Sequence, residues 1–189
     1  IEPIEGDYLE FRLRRYLTFA EFKSELAPHF GLGLEGYATW TSPIRKYSDM
    51  VNHRLIKAVL TQQTCNKPQD EVLARLQEAR RQNRLVERDI ADWLYCRYLA
   101  DKVASNAEFE AEVQDVMRGG LRVQLLENGA SMFIPASTLH NNKEEMQVNS
   151  DEIALYIKGE RIYKIGDIVK VKLTEVKETT RSIVGEIVQ

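Results

Sequence analysis

The chain has 189 residues, of which 43% are hydrophobic and 29% charged, a balance typical of a globular protein with a real core. Its net charge of −3 excludes a uniformly basic surface, so any nucleic-acid binding must come from local patches. The two cysteines form no CxxC pair, and no apolar run is long enough for a membrane span. These features exclude a disulfide scaffold, a cysteine-rich zinc site and a membrane protein, and they favour a reducing, cytoplasmic compartment.

The first predicted helix follows a glycine-rich bend at residues 31–36. It begins at Ser42-Pro43, where serine suits the N-cap and proline the first helical position, and it ends near Leu60. Apolar residues at spacings of three and four predict one buried stripe. The stripe consists of Ile44, Tyr47, Val51, Leu55 and Ala58.

A second, longer helix is predicted from about Pro68 to about Ala104. Its polar side is strongly basic, which is typical of a solvated face on an amphipathic helix. The basic residues are Arg75, Arg80, Arg81, Arg84 and Arg88. A second interpretation remains open, in which some of these arginines line a channel for RNA.

The pattern changes near residue 106, where short alternating runs replace the helical period. Asn128-Gly129 is a strong hairpin signal. Five or so strands with a long third connection predict a small Greek-key barrel of the OB-fold type. The expected fold class is therefore α+β, with a mainly helical domain at residues 1–105 and a five-stranded barrel domain at residues 106–189.

The start of the first predicted helix has the character of an anion site. Arg45 and Lys46 lie in its expected first turn, where the helix dipole disfavours cations unless an anion binds there. Asp49, one turn further on, is expected to hold the Arg45 guanidinium for a bidentate phosphate contact. The alternative is an ordinary capped helix in which the pair of Arg45 and Asp49 has no function.

Residues 37–53 read Tyr-x-x-Trp-Thr-Ser-Pro-Ile-Arg-Lys-Tyr-x-Asp-x-x-x-His. This motif closely resembles the signature of the RNase II/RNase R family of exoribonucleases. The resemblance continues through Arg84, Glu87 and Arg88 and into a carboxy-terminal barrel of the ribosomal-protein-S-one type. It covers essentially the whole chain, which would be the end of an RNB nuclease domain followed by an RNA-binding domain. A chain that ends without a lysine-rich tail is expected to be more like RNase II than RNase R.

The resemblance implies processive 3′-to-5′ hydrolysis of single-stranded RNA to nucleoside 5′-monophosphates, with magnesium held by a cluster of aspartates. It assigns to Arg45 the contact with the scissile phosphate, where a guanidinium would stabilise negative charge in the transition state. It also suggests RNA contacts for residues beside Arg45 and on the second helix. These are Thr39, Trp40, Ser42, Lys46, Arg84 and Glu87.

The barrel is expected to bind RNA by stacking bases on an exposed aromatic ring within a basic groove. The candidates are Phe133, Arg118, Arg122 and His140, with Lys170, Lys172 and Arg181 on later strands. Phe133 could equally be a core residue, and the basic residues could simply face solvent. Because residues 106–189 carry a net charge of −4, weak and salt-sensitive binding is expected of the barrel alone.

The magnesium-binding aspartates of the family precede the Tyr37–His53 motif, so this chain is expected to be a piece of a longer protein. The candidates to replace them are Asp49, Asp89 and Asp92. Asp89 and Asp92 share a helix face, but such a pair is more often a surface feature than a metal site. We therefore expect the chain alone to bind no metal and to leave RNA uncleaved. The whole protein is expected to be a monomeric cytoplasmic enzyme. The alternative is a non-catalytic RNA-binding protein on the same scaffold, which an aspartate cluster upstream would argue against.

Overall fold

The computed structural model describes residue 17 and residues 19–188. These residues fall into two compact units, one of residues 19–86 and one of residues 87–188. The second unit contains the barrel together with the last turns of a long helix. A domain boundary near residue 105 therefore stays a prediction from the sequence.

The first unit contains helix α1, Tyr47–Leu60, and the beginning of helix α2, Asp70–Ala104. The glycine-rich segment before α1 forms the expected bend. It holds a short 3-10 turn at Phe30–Leu32, which ends at Gly33 with a left-handed φ of 62°. The bend closes where the backbone N–H of His29 donates to the carbonyl oxygen of Leu34 over 2.8 Å.

Helix α1 begins at Tyr47, later than the sequence pattern predicts. Pro43, Ile44 and Arg45 form a turn instead, because the carbonyl oxygen of Ser42 accepts from the N–H groups of Arg45 and Lys46. The predicted buried stripe is therefore wrong at its first position, since Ile44 is fully exposed. Only Ala58, near the other end of the stripe, is buried.

Helix α2 agrees with the predicted second helix within a few residues at its start and ends at the predicted residue. Its two buried side chains, Cys96 and Leu99, both lie near its end. They join the apolar core of the second unit. Val86 and Ile90, in the middle of the helix, remain more than half exposed.

Five strands of the second unit form a closed barrel, which confirms the predicted OB-type architecture. Neighbouring strands pair antiparallel except for one parallel pair. The barrel strands are β1 (Glu108–Met117), β2 (Gly120–Leu125), β3 (Ser131–Pro135), β7 (Ile168–Lys177) and β8 (Ser182–Ile187). Their order around the barrel is β1-β2-β3-β8-β7. The predicted Asn128-Gly129 turn joins β2 to β3, with Gly129 at a left-handed φ of 81°.

Alternation along the barrel strands directs every second side chain into a common core. On β2 the burial pattern alternates strictly, so that Leu121, Val123 and Leu125 are fully buried while Arg122 and Gln124 are exposed. Met132 and Ile134 on β3 continue this core. Apolar burial of this kind is the main stabilising contribution to such a domain.

The long connection between β3 and β7 contains a small additional sheet, of which the sequence pattern indicates only the run at residues 153–158 and the Lys158-Gly159 turn after it. It begins with a single helical turn, α3 (Ala136–Leu139), and a 3-10 turn at Lys143–Glu145. Three short antiparallel strands follow: β4 (Met146–Asn149), β5 (Ala154–Ile157) and β6 (Glu160–Lys164). Ile153, Leu155 and Ile165 from this connection are buried in the core of the barrel unit.

Candidate nucleic-acid interface

The carboxylate of Asp49 is completely buried and anchors the chain segment that precedes α1. One of its oxygens accepts the hydroxyl hydrogens of Thr39, over 2.6 Å, and of Ser48, over 3.2 Å. The other accepts the backbone N–H of Ser42 over 2.9 Å. Both carboxylate oxygens are therefore occupied, as expected for a charged group removed from water.

Asn52 and His53 bind the same segment. They follow Asp49 at spacings of three and four, which places all three side chains on one face of α1. The Asn52 amide donates to the carbonyl oxygen of Thr39 over 2.7 Å. The ring Nε2 of His53 lies 2.7 Å from the carbonyl oxygen of Trp40, and because a carbonyl only accepts, the ring nitrogen is the donor.

Arg45 lies three residues after Ser42, whose backbone N–H and carbonyl oxygen are both hydrogen-bonded. Ser42 donates its N–H to Asp49, and its carbonyl oxygen closes the turn that carries Arg45. The Arg45 side chain is exposed, and within the part of the chain that the structure describes its guanidinium has no hydrogen-bond or ion-pair partner. The turn thus presents a cation to solvent next to a helix N-terminus.

The prediction that Asp49 holds the Arg45 guanidinium is wrong. The carboxylate binds Thr39, Ser42 and Ser48 instead. The physical reason is that α1 begins at Tyr47, so Arg45 and Asp49 are not one helical turn apart. The bonds that the structure shows connect Asp49 to Arg45 through the backbone of residues 42–45.

The hydrogen bond from Thr39 lowers the pKa of Asp49, and those from Ser42 and Ser48 and the nearby charge of Lys46 act in the same direction. Burial acts in the opposite direction but does not prevail. Asp49 therefore remains ionised at neutral pH. Its charge lies in the first turn of α1, where the helix dipole favours an anion.

The structure brings four predicted RNA-contact residues together with Arg45, because all of them lie between residues 39 and 46. Trp40 is half exposed, and its ring lies 6.0 Å from the ring of His53. Lys46 is exposed at the N-cap of α1, whereas Thr39 and Ser42 are bound to Asp49. The sequence analysis missed Asn52, whose spacing to Asp49 and His53 is the only signal that could have identified it.

The other predicted contacts of the first helical region, Arg84 and Glu87, lie on α2. The Arg84 guanidinium lies over the ring of Phe19, 5.0 Å from its centre, and Arg80 lies over Phe22 at 5.7 Å. Such cation–π contacts hold residues 19–22 on α2. Glu87 is exposed and belongs to the second unit.

Three predicted residues of the barrel lie together on its outer surface. Arg122 on β2 is directly opposite Phe133 on β3. Arg118 belongs to the turn between β1 and β2 and is followed by Gly119. The Phe133 ring lies close to Gly119, since a Cβ atom added to that glycine would be 3.6 Å from the ring. Since Met132 and Ile134 point inward, Phe133 points outward and is only half buried, so the core interpretation of Phe133 is wrong.

The remaining basic candidates of the barrel mostly form ion pairs with other side chains. His140 lies 2.6 Å from Glu145, Lys172 lies 2.8 Å from Glu186, and Arg181 lies 3.4 Å from Asp89. The hydrogen bond from His140 is the main reason why the pKa of Glu145 lies below its ordinary value. The ring of His140 is therefore engaged with Glu145.

Among the described residues, no group of three or more His, Cys, Asp or Glu side chains is arranged to hold a metal ion. The acidic candidates are engaged elsewhere, Asp49 with the segment before α1 and Asp89 with Arg181. The described residues therefore do not fit the magnesium site that the family resemblance implies. In the same part of the chain, no helix is long and apolar enough to cross a membrane.

Two family models match the chain in the order that the sequence pattern predicts. The RNB domain matches residues 2–62, and the S1 RNA binding domain matches residues 102–187. The second match contains the whole barrel. The first contains the Asp49 network and the turn that carries Arg45.

Curated relatives are similar to the chain over its whole length. It is 91% identical over 189 residues to exoribonuclease 2 of Haemophilus influenzae (strain 86-028NP), covering 100% of this chain and 29% of that protein. It is 81% identical over 188 residues to exoribonuclease 2 of Mannheimia succiniciproducens, covering 100% of this chain and 28% of that protein. The chain therefore spans less than a third of the length of these relatives.

Solved structures support the fold. The apo form of Mycoplasma genitalium RNase R matches 96% of this chain and 30% of that chain, with a TM-score of 0.75 and 20% identity. The same protein in complex with ribose methylated single-stranded RNA matches 93% of this chain and 28% of that chain, with a TM-score of 0.75 and 22% identity. At these identities the likeness concerns the fold alone.

Proposed function

We propose that the chain is the part of a 3′-to-5′ exoribonuclease of the RNase II family that contacts an RNA phosphate through Arg45; its 91% identity to an exoribonuclease 2 and its match to the RNB domain support this. The substrate is single-stranded RNA, and the products are nucleoside 5′-monophosphates. This activity is assigned to the full-length enzyme. The chain alone is expected to bind RNA weakly and to leave it uncleaved.

The observation that carries the proposal is the exposed guanidinium of Arg45 on a turn of fixed backbone. A guanidinium has planar, paired N–H donors that match two oxygens of a phosphate. Hydrolysis of a phosphodiester places additional negative charge on the phosphoryl oxygens in the transition state. A preorganised cation at that position lowers the energy barrier of the chemical step, because it needs no reorganisation during the reaction.

The outer surface of the barrel has a supporting role in the proposal. Phe133 offers a ring for base stacking, and Arg122 beside it offers a charge for the RNA backbone. The negative net charge of residues 106–189 makes a tight, independent RNA site unfavourable. We therefore assign to this surface the guidance of a strand that is held mainly elsewhere.

The proposal includes magnesium in the full-length enzyme, with ligands other than the residues described here. No step of the reaction is assigned to a metal on this chain. A cytoplasmic location is also part of the proposal and is supported by two free thiols, Cys65 and Cys96. The proposal also includes a monomeric state of the full-length enzyme.

The test uses a chimeric full-length enzyme in which this chain replaces the matching segment of the Haemophilus influenzae relative. Arg45→Ala should lower kcat on a single-stranded RNA by roughly 100-fold or more, as is typical when one preorganised transition-state contact is lost. The dissociation constant for the same RNA, measured with the metal chelated, should change by less than about threefold. Loss of turnover with retained binding identifies a group that acts on the transition state.

Arg54→Ala is the matched control, since Arg54 is also an exposed arginine and lies in the middle of α1. This variant should retain both turnover and binding. Equal losses of binding and turnover in Arg45→Ala would make Arg45 a substrate anchor instead. Unchanged turnover would refute the proposal, and RNA binding without any hydrolysis by the unmodified chimera would point to a binding protein.

A further inference from the structure

The polar face of α1 does more than cap a helix, because it binds three residues of the preceding segment, Thr39, Trp40 and Ser42. Asp49 binds the side chain of Thr39 and the backbone of Ser42, and Asn52 and His53 bind the carbonyl oxygens of Thr39 and Trp40. Such a set of directed bonds defines the path of the backbone up to Ser42. The next residues form the turn that carries Arg45.

We infer that Asp49 is a positioning residue for Arg45, and that it acts through Ser42 and not through direct contact with the guanidinium. The inference rests on the proposed phosphate contact of Arg45. The carboxylate fixes the N–H of Ser42, and the carbonyl of the same residue accepts from the N–H groups of Arg45 and Lys46. The backbone of a single residue, Ser42, therefore connects the buried acid to the turn that carries the exposed cation.

Burial explains why this connection is stiff. The Asp49 side chain is fully buried, so the bonds to its oxygens are not in exchange with water. Without the carboxylate, the N–H of Ser42 and the hydroxyl of Thr39 would lose their acceptor, and residues 39–42 could leave the helix. The position of Arg45 would then vary by more than the sub-ångström tolerance of a catalytic contact.

The substitution Asp49→Asn offers a sharp test, because it preserves the shape of the side chain but reverses part of its hydrogen bonding. The two hydroxyls of Thr39 and Ser48 share one oxygen, and the N–H of Ser42 binds the other. An amide can place its oxygen at Ser42 and direct its two N–H groups at the two hydroxyls, which can turn to accept. Asp49→Asn should therefore keep the segment in place, whereas Asp49→Ala should not.

The experiment is a double-mutant cycle in the same chimeric full-length enzyme. Asp49→Ala should lower kcat at least about tenfold when Arg45 is present and less than about twofold in an Arg45→Ala background, because its effect passes through Arg45. Asp49→Asn should retain kcat within about threefold. Asp101→Ala, an exposed acid near the end of α2, is the matched control and should change nothing.

An equal loss of kcat from Asp49→Ala in both backgrounds would overturn the inference, since a merely structural acid affects both enzymes alike. A loss in Asp49→Asn as large as in Asp49→Ala would also overturn it, because the negative charge itself would then be required. If Asp49→Ala fails to fold, Asn52→Ala replaces it, since that variant removes one bond to Thr39 and leaves the buried acid in place. Failure of the proposed function is distinguishable, because Arg45→Ala would then retain full turnover.

Discussion

Different interactions stabilise each of the two units of the chain. Residues 87–188 enclose a continuous apolar core in which Leu121, Leu125 and Ile134 are fully buried. In residues 19–86 the buried side chains are Asp49 and the small Ala58, while Phe30, Leu60 and other large apolar residues are mostly exposed. The barrel is therefore stabilised by apolar burial, and the helical unit is ordered chiefly by polar contacts around the segment before α1.

This difference shows where stability and where function reside. A closed barrel with a core of its own has the means to fold independently. An apolar surface as large as that of residues 19–60 marks a region that packs against other protein surface. We expect further protein surface to cover these side chains, and we propose that the polar network around Asp49 sets the direction of Arg45.

Paired substitutions of leucine should reveal the largest difference between the two units. Leu121→Ala removes a fully buried side chain and should destabilise the barrel by about 2–5 kcal/mol. Leu60→Ala removes a side chain that is 77% exposed and should change the stability of either unit by less than about 0.5 kcal/mol. Urea unfolding of the 189-residue chain, followed by the amide NMR signals of β2 and α1, measures both. A large cost for Leu60→Ala would show that the helical unit has a core of its own.

The two cysteines provide a second comparison without any substitution. Cys65 is exposed in the first unit, and Cys96 is buried in the core of the second, where burial is the main reason why the pKa of its thiol is raised. A thiol-specific reagent at neutral pH should modify Cys65 at least roughly 100-fold faster than Cys96. Mass spectrometry of peptides distinguishes the two sites, and in urea both should react at similar rates. Rapid modification of Cys96 in the native protein would contradict an independently stable barrel.

Sequence reasoning predicted the barrel better than the helical unit, for a physical reason. Strict alternation of the kind seen at Leu121, Val123 and Leu125 has one stable solution, a strand with one buried face. The Asn128-Gly129 turn then sets the connection. The additional sheet of the long connection is indicated only by the run at residues 153–158, because its strands are short, with four or five residues each, and show little alternation.

In the helical unit, residue preferences place a helix start close to the observed one but predict the wrong first residue and the wrong partner for Arg45. Ser42 and Pro43 are residue types preferred at a helix start, but the contact between the buried carboxylate of Asp49 and the N–H of Ser42 competes with that start, and the helix begins at Tyr47. That competition involves residues seven apart, which no propensity includes. Arg45 is exposed, as an anion site requires, although the partner predicted for its guanidinium is wrong.

The smallest expected effect concerns the acid limit of the barrel unit. Glu145 accepts hydrogen bonds from His140 over 2.6 Å and from Asn142 over 3.2 Å, and His140 is the main reason why its pKa lies below 4.5. A carboxyl group whose pKa is lower in the folded state contributes stability above its unfolded pKa. That contribution is lost as the pH falls through the folded value.

Glu145→Gln should therefore lower the Tm of the barrel at about pH 6, and the difference from the unmodified chain should shrink as the pH approaches about 3. Glu144→Gln is the matched control, since the neighbouring Glu144 is an exposed acid, and it should follow the unmodified chain throughout. Thermal unfolding of the 189-residue chain across this pH range measures both variants. If the two variants lose stability equally, the contact with His140 adds nothing to the apolar core, and burial alone accounts for the stability of the barrel.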